Sequence, residues 1–498
     1  MAPPVSFSRV FGSRRRPGVR SLSYPPDEHR QQTTERVSMG TTDSKKDATD
    51  ELCYLPARVL AHRLRQRELS TVEVLDAYLR RIERLNPTLN AVVSADFDQA
   101  RQAAAAADRL LARGESPGPL HGVPMTVKDG NDVAGLRTTI GTKLFDRIAE
   151  RDGTVAARLR AAGAIIFGLS NVPPLLADYR TDNPIFGRTN NPWDLNRTPG
   201  GSSGGGAAAL AAGLTPIEVG SDFGGSLRLP PHFCGVYGLM ATEYRVTLTG
   251  FWRPPGGTPR WLRILMSLGP MARDLDDLEL VLRVIAGPDG QNPDVPPVPL
   301  PSRRRRALPE LRLAAVTALP GATVAASLRA VIERIAKEAS DAGAHVEDRL
   351  PKVNWDDQEL SSELMTALTA ATYAPNTRLP EEHRTLAWYL SALDRRDQFI
   401  SAWEDFFGAY DALILPSGTT TAFAHDDSTA DAAQGRQLVF ANLAGLPVLV
   451  VPAGRDEAGL PIGFQFVGPH WSEMQLLAIA AELEEAGILP KFTRPAGY

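Results

Sequence analysis

A layered α/β fold, its sheet covered by helices on both faces, is what this chain predicts, and three observations carry the prediction. Strand-length apolar runs alternate with helical stripes from about residue 51 onward, and that alternation lays helices over a sheet. The strongest run, Leu446 to Pro452, is continuous and bounded by Gly445 and Gly454, as a strand buried on both faces would be. Composition is that of a globular protein, with 43% hydrophobic and 22% charged residues.

Residues 1–50 stand apart. Arg14-Arg15-Arg16, Pro25-Pro26 and Gln31-Gln32-Thr33-Thr34 alternate with serines and charges, without apolar periodicity. Such a segment buries too little surface to offset its ordering entropy, so disorder is expected. Its Arg and Ser content resembles a transit peptide, which Asp27, Glu28 and Glu35 argue against. Met39 offers another start just ahead of the folded part, which is expected over 51–498.

The first element is a helix over Val72–Leu85, with Val74, Leu75, Tyr78, Leu79, Ile82 and Leu85 on one stripe and Ser70 or Thr71 as cap. Further helices are expected over Gln99–Ala112, Thr154–Ala162, Ala207–Ala212, Leu275–Ile285, Ala325–Ala342 and Glu473–Ala486. Strands are expected at Val123–Val127, Ala164–Phe167, Pro216–Val219, Leu313–Val316, Leu413–Leu415, Val448–Val451 and Gly463–Val467. A Pro-rich stretch, Gly287 to Ala307, carries Arg303-Arg304-Arg305-Arg306 and reads as a solvated loop. No internal repeat is apparent.

Charge and cysteine usage narrow the function classes. Net charge is 54 − 58 = −4, so no global basic field draws nucleic acid or acidic lipid. No apolar run reaches the ~18 residues of a membrane span. The two cysteines, Cys53 and Cys234, match no disulfide framework and no zinc spacing. They suit a reducing compartment, and a cytoplasmic location without metal or other cofactor is expected.

The chemistry concentrates in Pro199-Gly200-Gly201-Ser202-Ser203-Gly204-Gly205-Gly206 and in Gly224-Gly225-Ser226-Leu227-Arg228. Glycines beside a serine let backbone N–H groups crowd a reacting carbonyl, because no Cβ blocks the approach. A phosphate-binding loop would need a lysine where Ala207 stands. Gly201-Ser202-Ser203-Gly204-Gly205 also fits a nucleophile elbow, with His425 or His470 as partner, although polar residues 188–201 replace the strand that motif expects. Lys128 ends the apolar run Val123–Val127. Beyond residue 50 only Lys143, Lys337, Lys352 and Lys491 accompany it in an arginine-preferring chain. Arginine cannot serve as a base, whereas a desolvated lysine can.

These segments resemble the amidase signature family. Gly122-Val-Pro-Met-Thr-Val-Lys128-Asp129, Gly200-Gly-Ser-Ser-Gly-Gly205 and Ser221-Asp222-Phe223-Gly224-Gly225-Ser226-Leu227-Arg228 occur in the family's order, with serines 226 − 202 = 24 apart. Leu69–Val74, Asn190-Asn191-Pro192-Trp193-Asp194, Gly445-Leu446-Pro447 and Gly459–Gly463 extend the likeness over about Leu55 to Pro490. The resemblance implies one α/β/α domain around a large mixed sheet, and an amidohydrolase working through an acyl-enzyme. It implies Ser226 as nucleophile, Ser202 as relay after a cis peptide bond, and Lys128 as base. The N–H groups of Phe223, Gly224, Gly225 and Ser226 would stabilise the oxyanion, with Ser203, Asp222 and Arg228 supporting them from behind. Arg228 has a rival role, holding a substrate carboxylate.

Two departures bear on substrate. Val172-Pro173-Pro174-Leu175-Leu176 is apolar where many relatives are acidic, and Leu239-Met240-Ala241-Thr242-Glu243 replaces the family's Leu-Lys-Pro-Thr. Tyr179 falls where relatives acting on fatty-acid amides present an aromatic residue. With Leu175, Leu176 and Trp252, in an aromatic loop over 251–261, it suggests an apolar acyl pocket; ordinary core packing is the rival explanation. The expected partner is a small amide, with esters and carbamates as further substrates and a homodimer left open. One component of a glutamyl-tRNA amidotransferase and a non-catalytic binding protein are the competing classes.

Overall fold

The computed structural model describes residues 50–115, 118–252, 258, 260–373 and 379–498. The expected N-terminal extension, apart from Asp50, lies outside them, as do 253–257 and 259 of the aromatic loop.

Two sheets meet edge to edge. The larger has eight strands, in the order His345–Glu347, Arg312–Ala315, Ala412–Pro416, Pro461–Val467, Val448–Arg455, Tyr237–Met240, Ser267–Ala272 and Ile217–Asp222. The smaller holds Val92–Ala95, Ile165–Ser170 and Pro124–Lys128. Both mix parallel and antiparallel pairs. They adjoin where Pro124–Lys128 packs beside Ile217–Asp222, with the Thr126 N–H donating to Thr215 Oγ1 at 3.1 Å.

Period-two alternation splits the large sheet between two cores. Leu313, Ile414, Leu449, Val451, Phe464 and Phe466 enter one core, while Ala314, Leu413, Leu415, Val448 and Val467 enter the other. Because both faces are covered, these strands read as unbroken apolar runs. The layered fold with helices on both faces is therefore observed as expected.

The helix expected from Val72 spans Thr71–Leu89. Ser70 and Glu73 form a capping box, the serine oxygen accepting the Glu73 N–H at 3.1 Å and the carboxylate accepting the Ser70 N–H at 2.9 Å. The arginine run 303–306 is a loop, yet Arg303, Arg305 and Arg306 are tied to Asp276, Glu482, Glu485 and Asp411 by ion pairs. The loop lies at the solvent-facing surface as expected, Arg305 being 62% exposed, and these ion pairs tie it to its neighbours there.

Elements absent from the pattern reading have physical reasons. Tyr237–Met240 and Ser267–Ala272 are strands interrupted by Gly238 and Gly269. A Cβ on Gly269 would lie 1.8 Å from the Leu239 carbonyl oxygen, and one on Gly238 would lie 2.4 Å from that of Leu227. Close backbone approach demanded glycine and erased the apolar signal. The helices Glu359–Tyr373 and Leu386–Phe407 mix hydroxyl, charged and aromatic residues around their circumference, so no single stripe stands out.

Candidate active site

Lys128 is the last residue of Pro124–Lys128, in register with Ser170 on the neighbouring strand, and its side chain is fully buried. Its Nζ lies 2.7 Å from Ser202 Oγ, and Ser202 Oγ lies 2.9 Å from Ser226 Oγ. A continuous line of three proton-carrying groups results. Ser202 precedes the helix Gly204–Ala211, and the Gly201–Ser202 peptide bond is cis. That helix can settle on the sheets because a Cβ on Gly205 would meet the Asn171 nitrogen at 2.3 Å, and one on Gly206 the Glu218 Cγ at 2.6 Å.

Burial pushes the Lys128 amine down to about 7, against the opposing pull of Asp222, Glu218 and Asp129. Near neutral pH it therefore has a substantial unprotonated fraction, the form a base requires. Ser221 steadies it, with Oγ 2.9 Å and carbonyl oxygen 3.3 Å from Nζ. Glu218 stands close behind, accepting hydrogen bonds from Thr126 Oγ1 and, at 2.7 Å, from Ser170 Oγ. Burial raises its carboxyl to about 7, although both hydroxyls and Lys128 act the other way.

Asp222 ends the strand Ile217–Asp222 and organises the turn that carries Ser226. Its carboxylate accepts the N–H groups of Gly224 at 3.1 Å, Gly225 at 2.7 Å and Leu227 at 2.8 Å. Burial alone would raise this carboxyl, but the Arg228 guanidinium and these donors hold it at about 2. Two of the four expected oxyanion donors, Gly224 and Gly225, are thus already held by Asp222. Among the described residues no acceptor takes the N–H of Phe223 or Ser226.

Arg228 is fully buried. It pairs with Asp222 through Nε at 3.0 Å and Nη2 at 2.9 Å, and reaches Asn442 Oδ1 and the Leu438 carbonyl. It does not line the cavity, so the rival role as a substrate-carboxylate anchor has no geometric support. Ser203, also buried, donates to the Ser221 carbonyl at 3.2 Å.

Ser226 opens onto a cavity of about 410 Å³. Leu175, Leu176, Tyr179 and Trp252 all line it, as do Phe223, Met266, Met365 and Val439. Pro174–Leu176 forms a single 3-10 turn in which Leu175 and Leu176 take φ of 54° and 56°. Tyr179 is also tied to the nucleophile turn, its hydroxyl donating to the Gly224 carbonyl at 2.6 Å. Burial raises its phenol well above the usual range.

With this geometry in view, the likeness to known proteins is specific. The family model described as Amidase matches residues 73–378 and 349–477. The chain belongs to the amidase family. AmiB2 of Mycobacterium tuberculosis (strain ATCC 25618 / H37Rv), described as a putative amidase, is 35% identical over 481 residues, covering 88% of this chain and 97% of that protein. A glutamyl-tRNA(Gln) amidotransferase component from Moorella thermoacetica is 33% identical over 481 residues, with 88% and 97% covered. A bacterial aryl acylamidase of the amidase signature enzymes shares the fold, with TM-score 0.76, 24% identity and 87% and 96% of the two chains covered. As an amidase, the protein is a hydrolase acting on amide carbon–nitrogen bonds.

Several residues of the amidase site escaped sequence reasoning. Ser221 carried no signal beyond its place in the nucleophile motif. Asp178, Arg180, Met365, Thr369 and Asp431 reach the cavity from segments far apart in sequence. The histidines weighed for a nucleophile elbow are elsewhere. His425 Nε2 lies 3.4 Å from the Leu195 carbonyl, and His470 contacts Glu404 and the Ala444 carbonyl. His232 is buried, and its Nδ1 accepts the Gly463 N–H at 2.7 Å. Burial pushes the Cys53 thiol up to about 12 and the Cys234 thiol higher still, so neither is a ready nucleophile. Among the described residues no cluster of His, Cys, Asp and Glu has metal-binding geometry, and no helix is long and apolar enough to cross a membrane.

Proposed function

We propose that the protein hydrolyses a carboxylic amide with a small or apolar acyl group, through an acyl-enzyme on Ser226. The observation that carries this reading is the unbroken line from Lys128 through Ser202 to Ser226 at the floor of an apolar cavity. Neutral Lys128 takes the Ser202 proton while Ser202 takes that of Ser226, and Ser226 Oγ bonds to the carbonyl carbon. The oxyanion is met by the N–H groups of Phe223 and Ser226, with Gly224 and Gly225 holding the turn through Asp222. Ser202 then protonates the leaving nitrogen, which departs poorly as an anion. Water, deprotonated through the same relay, cleaves the acyl-enzyme. Esters and carbamates with the same acyl group fit this route. Residues 51–498 form the catalytic domain in this reading.

The relative from Moorella thermoacetica keeps a second reading in play, one component of a tRNA-dependent amidotransferase. The net charge of −4 and the apolar 172–176 segment favour independent hydrolysis. Purified protein alone should hydrolyse simple amides; activity only with added partner proteins would support the amidotransferase.

The test of the nucleophile is Ser226→Ala. It should abolish amide turnover and covalent labelling by a fluorophosphonate. A label mapped by peptide mass spectrometry to Ser203 would overturn the assignment.

A further inference from the structure

The substrate cavity has one charged side, and its charges do not balance. Asp178, Arg180 and Asp431 line it. Arg180 is committed to Asp178: its Nε lies 3.0 Å from Asp178 Oδ1 and its Nη2 3.0 Å from Oδ2. Asp431 approaches the same guanidinium through Oδ2 at 3.6 Å, and its carboxyl also takes the Tyr179 N–H and lies against the Asp178 carboxyl. When Asp431 is ionised, two carboxylates face one guanidinium, an excess negative charge in a chamber otherwise lined by apolar and hydroxyl side chains.

Two polar oxygens of residues lining the cavity also lack a partner among the described residues. Asp431 Oδ1 is buried and has no hydrogen-bond partner. Thr369, on the separate helix Glu359–Tyr373, lines the same cavity at 4% exposure, and its Oγ1 has no partner either. Buried polar atoms are seldom left unpaired, and leaving one so costs free energy. A ligand that brings a positive charge and N–H donors would answer both the excess charge and the empty acceptors. A carboxylate-bearing ligand would worsen the excess charge and could pair only with the Thr369 hydroxyl.

We propose that this side of the cavity is a subsite for a protonated amine, so that the amide hydrolysed here carries an alkylammonium group several bonds from its scissile carbonyl. The inference rests on Ser226 being the nucleophile. Asp431 is the specificity-determining residue, and the apolar lining holds the alkyl spacer.

The groups facing Asp431 are Asp178, Arg180 and Tyr179. Burial, and then the Asp178 charge, push its carboxyl up to about 7. Above that pH it is an anion and attracts the ammonium; below it the carboxyl is neutral and the attraction fades. Selectivity for the amine should therefore rise with pH through neutrality, until the amine itself loses its proton near ~10.

The experiment compares rates of Ser226 modification by paired alkyl fluorophosphonates, in which Ser226 Oγ bonds to phosphorus as fluoride leaves. One member of each pair ends in ammonium and the other in methyl, with chains of graded length on either the phosphorus-alkyl or the alkoxy arm. At pH 8.5 the best ammonium probe should react about tenfold faster than its methyl partner, the scale of one charge-assisted hydrogen bond. The ratio should fall toward one at pH 6, and toward one at pH 8.5 in Asp431→Asn. Loss of the Lys128 base at low pH slows both probes and cancels in the ratio. Should Asp431→Asn fail to fold, the pH dependence of the ratio in the unmodified protein decides. Ammonium and methyl probes reacting equally at every length and pH would overturn the subsite and leave the nucleophile standing. Modification of Ser226 by neither would overturn the proposed function itself.

Discussion

At the floor of the cavity the polar side chains are paired; on its charged side two side-chain oxygens are not. Asp222 alone collects three backbone N–H groups and both arms of Arg228, and Lys128 is bracketed by Ser202 and Ser221. Elsewhere on the cavity wall, Asp431 Oδ1 and Thr369 Oγ1 have no partner among the described residues. The floor is built to hold its geometry before substrate arrives, which is what stabilising a developing charge requires. The charged wall keeps hydrogen-bonding capacity for the substrate. Reaction type and substrate choice are thus placed on different parts of one chamber.

The sharpest way to break that division is to remove the base. Lys128→Ala should cut amide hydrolysis about 10²–10⁴-fold, the range expected of a positioned acid–base group. An activated ester, whose leaving group needs no proton, should lose much less. Equal losses for amide and ester, measured as kcat/KM, would place Lys128 outside the relay.

A second perturbation tests the saturation of the floor. Arg228→Met leaves Asp222 buried without its counter-charge, which should cost about 3–5 kcal/mol in urea unfolding. The same experiment on Asp431→Asn should show a far smaller change, because the carboxamide oxygen can still take the Tyr179 N–H and only a 3.6 Å ion pair is lost.

The smallest expected effect concerns Glu218. Lys128 works only when neutral, so wild-type kcat/KM should rise with pH through about 7. The Glu218 carboxylate favours the protonated amine. Glu218→Gln removes that charge and should move the rising limb to lower pH. A limb that stays in place would mean that Glu218 only fills the space beneath Gly206.

Much of the floor was legible because its components are local. Ser202 and Ser226 each lie among glycines whose missing Cβ atoms admit close backbone approach, and such positions tolerate little substitution. Lys128 stood out as a lysine at the end of an apolar strand. Leu175, Leu176, Tyr179 and Trp252 were readable as an apolar set, and all reach the cavity. The oxyanion donors were less legible. Four N–H groups share one motif, but which of them remain available depends on how the Asp222 carboxylate turns beneath them. The arginine run 303–306 shows the same limit, since its partners lie on two other helices and a distant loop residue.

By itself the sequence determined the layered α/β fold, the place along the chain of most of its strands and the three groups in line for proton transfer. Apolar periodicity and glycine spacing are short-range properties, written within a few residues of where they act. The tertiary structure decided what surrounds them: the burial that brings Lys128 to about 7, the engagement of Gly224 and Gly225 by Asp222, and the unpaired Asp431 Oδ1 and Thr369 Oγ1 on the cavity wall. The first and last depend on side chains tens to hundreds of residues apart arriving at one chamber, and the second on Asn442, which donates to the Asp222 carboxylate from 220 residues away. A linear pattern does not record such encounters, because desolvation and hydrogen-bond saturation exist only once the chain has packed.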